Sequence, residues 1–209
     1  MFLNLPSLTS RGRSASRRSR KWRSTWAVRT LTNDIGCYVL CDLDQVPIYV
    51  GQSIDGIRSR VNRHLTSARS DIIANRQIDV WEIAWVWAYP AKDRAEISSL
   101  EDALFHEFPR RSALMNGKVP KPPTDRSKSS EPSQKVQVMS DAEIAEKKDP
   151  ALRLPRQAEH CSQIVGHFLA VKNSREIAGA IQANFEQLQK YHQQLLGLAV
   201  EVEGDSGKD

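Results

Sequence analysis

Apolar residues recur along this chain in two rhythms. Gly36-Cys-Tyr-Val-Leu-Cys-Asp42 and Val46-Pro-Ile-Tyr-Val-Gly51 are short apolar runs separated by the polar turn Leu43-Asp44-Gln45. Such a pair predicts an antiparallel hairpin. Pro47 falls near the start of its strand, where a missing N–H is tolerated. Between residues 54 and 69 the rhythm changes: Ile57, Val61 and Leu65 recur every four residues, the stripe of a helix. Residues 79–89 read as a third strand, with Trp81, Ile83, Trp85, Trp87 and Tyr89 on one face and Val80, Ala84 and Val86 on the other. A strand apolar on both faces is expected to be buried under helices on at least one side. Over residues 93–108, Ile97, Leu100, Leu104 and Phe108 recur at three and four, a second helix. The order β-β-α-β-α predicts an α+β domain, a small three-stranded, mostly antiparallel sheet flanked by helices.

This pattern occupies residues 34–117. Residues 1–33 have no apolar period and read as a basic, disordered arm. Residues 118–150 hold a cluster of Pro, Ser and Lys and read as a linker. Residues 151–209 resume helical composition, with helices expected over 156–171 and 174–200 and a polar tail. In the second helix Ile181, Leu188 and Leu195 fall seven apart, with Ala178, Phe185 and Ala199 between and His192 interrupting. Packing of that seam onto the rest of the chain is favoured over a coiled-coil homodimer, which stays open.

The composition, 40% hydrophobic and 26% charged over 209 residues, excludes a collagen-like or wholly disordered chain. No run approaches the roughly 18 apolar residues of a membrane span. The N-terminus is apolar before it is basic, the reverse of a secretory signal. Cys37, Cys41 and Cys161 are an odd, sparse set without metal spacing, so a reducing cytoplasm is expected. The net charge of +5 conceals an asymmetry: residues 1–33 carry eight basic residues and no acid. Arg11, Arg13, Arg17, Arg18, Arg20, Lys21 and Arg23 can displace counterions from a phosphate backbone, unless the arm is a passive tail.

Arg60 and His64 stand one helical turn apart beside the buried Val61 and Leu65. A guanidinium and an imidazole on one face suit a phosphodiester. Arg58 and Arg63 flank them as further phosphate contacts. Tyr38 and Tyr49 lie one on each strand of the hairpin, and a phenol acts as a base where nearby cations lower its pKa. Glu101, at the edge of the Leu100/Leu104 stripe, can hold one hard divalent ion. Each of these alone would read as an ordinary strand or surface residue.

Their order and spacing resemble the GIY-YIG nuclease family. Gly36-Cys37-Tyr38 stands for its first motif and Tyr49-Val50-Gly51 for its second. Arg60-Val-Asn-Arg-His64-Leu follows on the helix, then Glu101-Asp-Ala-Leu104, Pro109 and Asn116. The departure Cys37, for the family's Ile, is a small hydrophobe at a core-facing position. The resemblance implies metal-dependent endonuclease cleavage of DNA, with RNA not excluded. Glu101 would bind one Mg²⁺ or Mn²⁺ and Arg60 the phosphate. Either Tyr38 is the general base, or His64 is, with Tyr38 relaying. Tyr49 would hydrogen-bond the phosphate or the water. Gly36, Gly51 and Asn116 would support the site, Gly51 by a tight turn. The rival readings are a non-catalytic nucleic-acid-binding module and an interaction protein acting through its C-terminal helices.

Overall fold

The structure, a computed structural model, describes residues 27–67, 70–108, 114–116 and 131–196. The predicted hairpin is present, with β1 (Gly36–Cys41) paired antiparallel to β2 (Pro47–Ser53). Its turn is closed by Asp42, whose Oδ1 accepts the backbone N–H groups of Asp44 and Val46 at 2.8 and 2.9 Å. An aspartate that bonds the backbone two residues on is a turn-former in its own right. On its other side β1 pairs antiparallel with β3 (Trp85–Pro90). β1 is therefore an inner strand, and all of its residues are buried.

Two helices cover the sheet as the periodicity predicts. α1 (Ala27–Thr30) leads into β1, and α2 (Ile57–Thr66) follows β2. After the short α3 (Asp71–Ala74) and β3 comes α4 (Arg94–Glu107). One face of the sheet, with Cys37, Val39, Trp87 and Tyr89, packs on Ile97, Leu104 and Phe105 of α4. The other face, with Tyr38, Leu40, Val86 and Ala88, packs on Ile57, Val61 and Leu65 of α2.

The sheet has four strands rather than three, in the order β2-β1-β3-β4. β4 (Gln134–Gln137) comes from the stretch expected to be a linker over 118–150 and pairs antiparallel with β3. Its sequence, Gln-Lys-Val-Gln, has no apolar alternation to announce it. An edge strand can be held by backbone bonds with one inward residue, here Val136 against the core. α5 (Asp141–Lys148) follows, started by a capping box between Ser140 and Glu143.

Residues 79–89 are not one strand. Val80–Glu82 form a 3₁₀ turn, its start fixed by Asp79 accepting the Trp81 N–H. The turn delivers Glu82 into a buried ion cluster that a continuous strand could not reach. α6 (Pro150–Ala170) begins six residues earlier than its periodicity indicates, because Asp149 caps it and Pro150 opens it. α7 (Arg175–Leu195) completes an antiparallel hairpin with α6.

This hairpin is built onto the sheet domain. Arg153 of α6 donates to Glu82 and to Asp44, the latter at 2.6 Å, and lies 3.8 Å from the ring centroid of Tyr191. Arg156 pairs with both Asp79 and Glu82. Asn184 of α7 donates to the Gln77 carbonyl at 3.2 Å. α7 turns Ile177, Ala180, Ala183, Asn184, Gln187 and Tyr191 inward, and Ile181 of the expected seam packs beside them. Of the Ile181/Leu188/Leu195 seam, Ile181 is partly buried against Ile164, Ile177 and Ala180 and Leu188 is half-buried, while Leu195, like Phe185, is exposed. Cys37, Cys41 and Cys161 are buried and unpaired. Among the described residues no helix is long and apolar enough to cross a membrane.

Candidate active site

α2 has no side-chain cap, and its start is fixed from outside. Its N-terminal N–H groups are taken by the segment before β1: Ile57 donates to the Asp34 carbonyl at 3.0 Å, Arg58 to the Thr32 carbonyl at 3.1 Å, and Ser59 to Asn33 Oδ1 at 3.0 Å. These bonds satisfy donors that a helix start leaves open. They also fix α2 against the strand that carries Tyr38. Gly56, at φ 103, precedes the helix, and a Cβ there would strike Asn33.

On the α2 face of the hairpin the register places Gly51 opposite Tyr38, and Tyr49 opposite Leu40. Tyr38, Tyr49 and His64 form a ring cluster, with centroids 5.7 Å apart for Tyr38–His64 and 6.3 Å for the other two pairs. The Tyr38 hydroxyl lies 2.6 Å from His64 Nε2. His64 Nδ1 lies 2.5 Å from Ser70 Oγ. Tyr38, His64 and Ser70 are all buried. Arg60 Nη2 donates to Asp71 Oδ2 at 2.8 Å, while Arg60 Nε is buried without a hydrogen-bond partner. The Asp71 bond therefore leaves guanidinium N–H groups of Arg60 that can donate further. A phosphate oxygen is the natural acceptor for such a group.

Burial sets the protonation states. It pushes the Tyr38 phenol well above its ordinary value, and the neighbouring Tyr49 adds to this, while the Arg60 cation opposes it. Cations do not lower this phenol as the sequence reading of a tyrosine base requires, because desolvation outweighs them. His64 falls to about 4, by burial first and then the Arg60 charge, with Asp71 pulling the other way. At neutral pH the pair is thus a neutral phenol facing a neutral imidazole. Burial also raises Tyr49, whose phenol feels Asp71 and Glu101 as anions and Arg60 as a cation.

Glu101 is half-buried on α4, the helix that covers the opposite face of the sheet. Its helix packs against both β1 and β2, and its charge raises both Cys37 and Tyr49. Tyr49 is the residue that senses α2 and α4 together. Asn116 grips β2 directly: its Oδ1 accepts the Val50 N–H at 2.9 Å and its Nδ2 donates to the Val50 carbonyl at 2.6 Å. Gly51 lies within β2 and not in a turn. It is needed for space, since a Cβ there would fall on the Tyr38 hydroxyl and against the Tyr49 ring. Gly36, at φ 152, opens β1 against the Tyr89 carbonyl.

Of the other basic residues, Arg58 donates to the Arg29 carbonyl at 3.2 Å, which ties α2 to α1. Arg63 is exposed, and its charge lowers His64 further. Arg11, Arg13, Arg17, Arg18, Arg20, Lys21 and Arg23 lie outside the described residues, as does Pro109. The sequence reading missed Ser70, Asp71 and Asn33. Ser70-Asp71 carries the signature of a helix start, a capping Ser followed by an acid, and that signal concealed its second use. Among the described residues no three His, Cys, Asp or Glu side chains gather into a metal-binding group. A divalent ion at Glu101 would keep waters and take substrate oxygens, which is how Mg²⁺ is commonly held.

A four-stranded antiparallel sheet between helices, with paired tyrosines over an Arg/His helix, is an α+β arrangement consistent with the GIY-YIG fold. Residues 34–112 match the family model of the GIY-YIG catalytic domain. Comparison with curated proteins and with solved structures finds no match to the chain.

Proposed function

We propose that this protein is a divalent-metal-dependent endonuclease that hydrolyses DNA phosphodiester bonds. The observation that carries the reading is the meeting of Tyr38, Tyr49 and His64 on one face of the hairpin beside Arg60. Arg60 receives the scissile phosphate through the accessible part of its guanidinium and offsets the charge that develops there. Glu101 holds Mg²⁺ or Mn²⁺, which supplies Lewis-acid stabilisation of the phosphate and the leaving oxygen when bound. Tyr49 hydrogen-bonds the phosphate or the attacking water. Gly36, Gly51 and Asn116 hold the hairpin in shape. Both His64 nitrogens are engaged inside the protein, which supports the arrangement in which His64 is the proton acceptor and Tyr38 relays. Tyr38 is closed to solvent, so the relay requires that substrate binding open its oxygen to water.

The acid-free arm, with Arg58 and Arg63, supplies affinity for the nucleic-acid backbone, RNA included. A homodimer would bring two such sites to the two strands of a duplex. A stripe of α7 supports it: Ala178, Phe185, His192 and Leu195 are exposed and Ile181 and Leu188 half-buried, at alternating steps of three and four. The unpaired cysteines support a reducing, cytoplasmic setting.

Plasmid cleavage by the purified protein with Mg²⁺ or Mn²⁺ tests the reading, beside an EDTA control and Glu101→Ala. Metal-dependent nicking that falls about 10²-fold or more in the variant is the expected result. DNA binding without cleavage by the folded wild type would replace the nuclease with a binding module.

A further inference from the structure

We infer that Ser70 is a positioning residue of this site: it holds His64 in the tautomer whose free Nε2 accepts the Tyr38 proton, and Asp71 beside it steadies the imidazolium that results. The inference rests on the nuclease reading for its consequence in catalysis, and on geometry alone for the tautomer.

The argument starts from the phenol. The Tyr38 hydroxyl is buried, and among the described residues its one available acceptor is His64 Nε2, at 2.6 Å. Arg60, the other group against it, can only donate. A neutral phenol without an acceptor would leave a buried donor unpaired, at a cost of about 1–3 kcal/mol. Tyr38 therefore donates to Nε2, which must carry no hydrogen. The imidazole proton then sits on Nδ1 and is donated to Ser70 Oγ at 2.5 Å.

Ser70 has a second feature that singles it out. It occupies the N-cap of α3, where a serine hydroxyl ordinarily accepts a backbone N–H of the first turn. Here the Ser70 side chain makes no capping bond, and its hydroxyl is turned to the imidazole instead. The cap interaction is forgone and the histidine contact is kept.

Asp71 follows from the same short helix. Its Oδ2 tethers Arg60 at 2.8 Å and its Oδ1 lies 3.9 Å from His64 Nδ1. The other groups facing His64 are Tyr38 from β1, Tyr49 from β2, and Arg60 and Arg63 from its own helix. The two cations disfavour an imidazolium, and Asp71 is the one anion among these groups. In the hydrolytic step, the water proton passes to the Tyr38 oxygen as the phenol proton passes to His64 Nε2. The hydroxide forms the new P–O bond while the bond to the leaving oxygen breaks, and solvent protonates that oxygen. His64 returns its proton through Tyr38 after product release. Throughout, Ser70 keeps its bond to Nδ1–H and Asp71 faces the transient positive charge.

The test uses full-length protein labelled with ¹⁵N-histidine. Long-range proton–nitrogen NMR spectra at neutral pH read the His64 tautomer, assigned with His64→Gln. The expected wild-type form is Nδ1–H. Ser70→Ala should populate the Nε2–H form. It should also lower kcat about 10-fold, the low end for losing the partner that orients a functional histidine, with KM little changed. Its unfolding temperature should fall only modestly, since one buried hydrogen bond but no cap bond is removed. Asp71→Asn should keep the tautomer and lower the His64 pKa. An Nε2–H wild type overturns the assignment, as does Ser70→Ala with unchanged tautomer and kcat. Should the wild type fail to cleave DNA, the nuclease reading falls, while the tautomer still decides the role of Ser70.

Discussion

Arg153, on the first helix of the C-terminal hairpin, donates through Nη2 to Glu82 Oε2 at 2.9 Å, with both side chains buried at 3% and 1% exposure. The pair joins a helix that the sequence shows only as a C-terminal extension to a turn that precedes the third strand. It is closed on one side by Tyr191 and on the other by Asp42 and Asp44.

Removing one partner of such a pair leaves the other charge buried and uncompensated. Arg153→Ala should therefore lower the free energy of unfolding by about 3–5 kcal/mol in a denaturant titration. The double variant Arg153→Met/Glu82→Leu should recover much of that loss, because it removes both desolvation penalties. A single variant that loses less than about 1 kcal/mol would mean that the hairpin is only loosely attached.

Gly51→Ala should impair cleavage more than folding. The new methyl has to displace the Tyr38 hydroxyl or the Tyr49 ring. Overpacking costs about 1–3 kcal/mol of stability. The same displacement separates Tyr38 from His64, so the cleavage rate should fall by about 10²-fold, the scale for losing a proton-transfer group. Wild-type activity in this variant would remove Tyr38 from the reaction.

The buried histidine makes stability depend on pH. His64 titrates at about 4 in the folded protein against an ordinary 6.5. Between those values the unfolded chain binds a proton that the native state refuses, so stability falls as pH drops through the window. The full effect is about 3 kcal/mol, present above pH 6.5 and lost by pH 4. Unfolding at pH 7, 5.5 and 4.5 should show a steeper decline in the wild type than in His64→Gln. Parallel curves would contradict a neutral, buried His64.

The same stripe of α7 carries the dimer proposal. Phe185→Glu/Leu188→Glu should give a monomer in sedimentation experiments where the wild type gives a dimer, with the fold intact. A wild type that stays monomeric at high micromolar concentration would end that proposal.

Deleting residues 1–26 should weaken DNA binding and flatten its salt dependence. The segment holds the seven basic residues from Arg11 to Arg23, and each lost phosphate contact lowers the log–log slope by about 0.9. An unchanged slope would make the arm a passive tail.

The hairpin, α2 and α4 were legible because apolar period and turn chemistry are local. The pair Arg60/His64 was legible for the same reason, since residues four apart on a helix share a face. β4 was not, because an edge strand of Gln, Lys, Val and Gln is held by backbone pairing and advertises nothing in its side chains. The break at Val80–Glu82 was hidden by the period-two tryptophans, which continue across a turn fixed by Asp79 and by the distant Arg153 and Arg156. Gly51 was expected to make a tight turn, but the demand the structure puts on it is space beside Tyr38, 13 residues earlier in the chain.

The β-β-α-β-α frame, the resemblance over the segment that the GIY-YIG model matches and the concentration of positive charge in the arm are readable from the sequence. Each of these is written in spacing and composition, which need no knowledge of distant neighbours. The tertiary structure alone decided that the phenol of Tyr38 is neutral, that Ser70 serves His64 rather than its own helix, and that α6 and α7 are anchored through Glu82. These are matters of desolvation and of contacts between residues far apart in the chain. Their energies depend on what the fold removes from water and on what it then supplies as a partner.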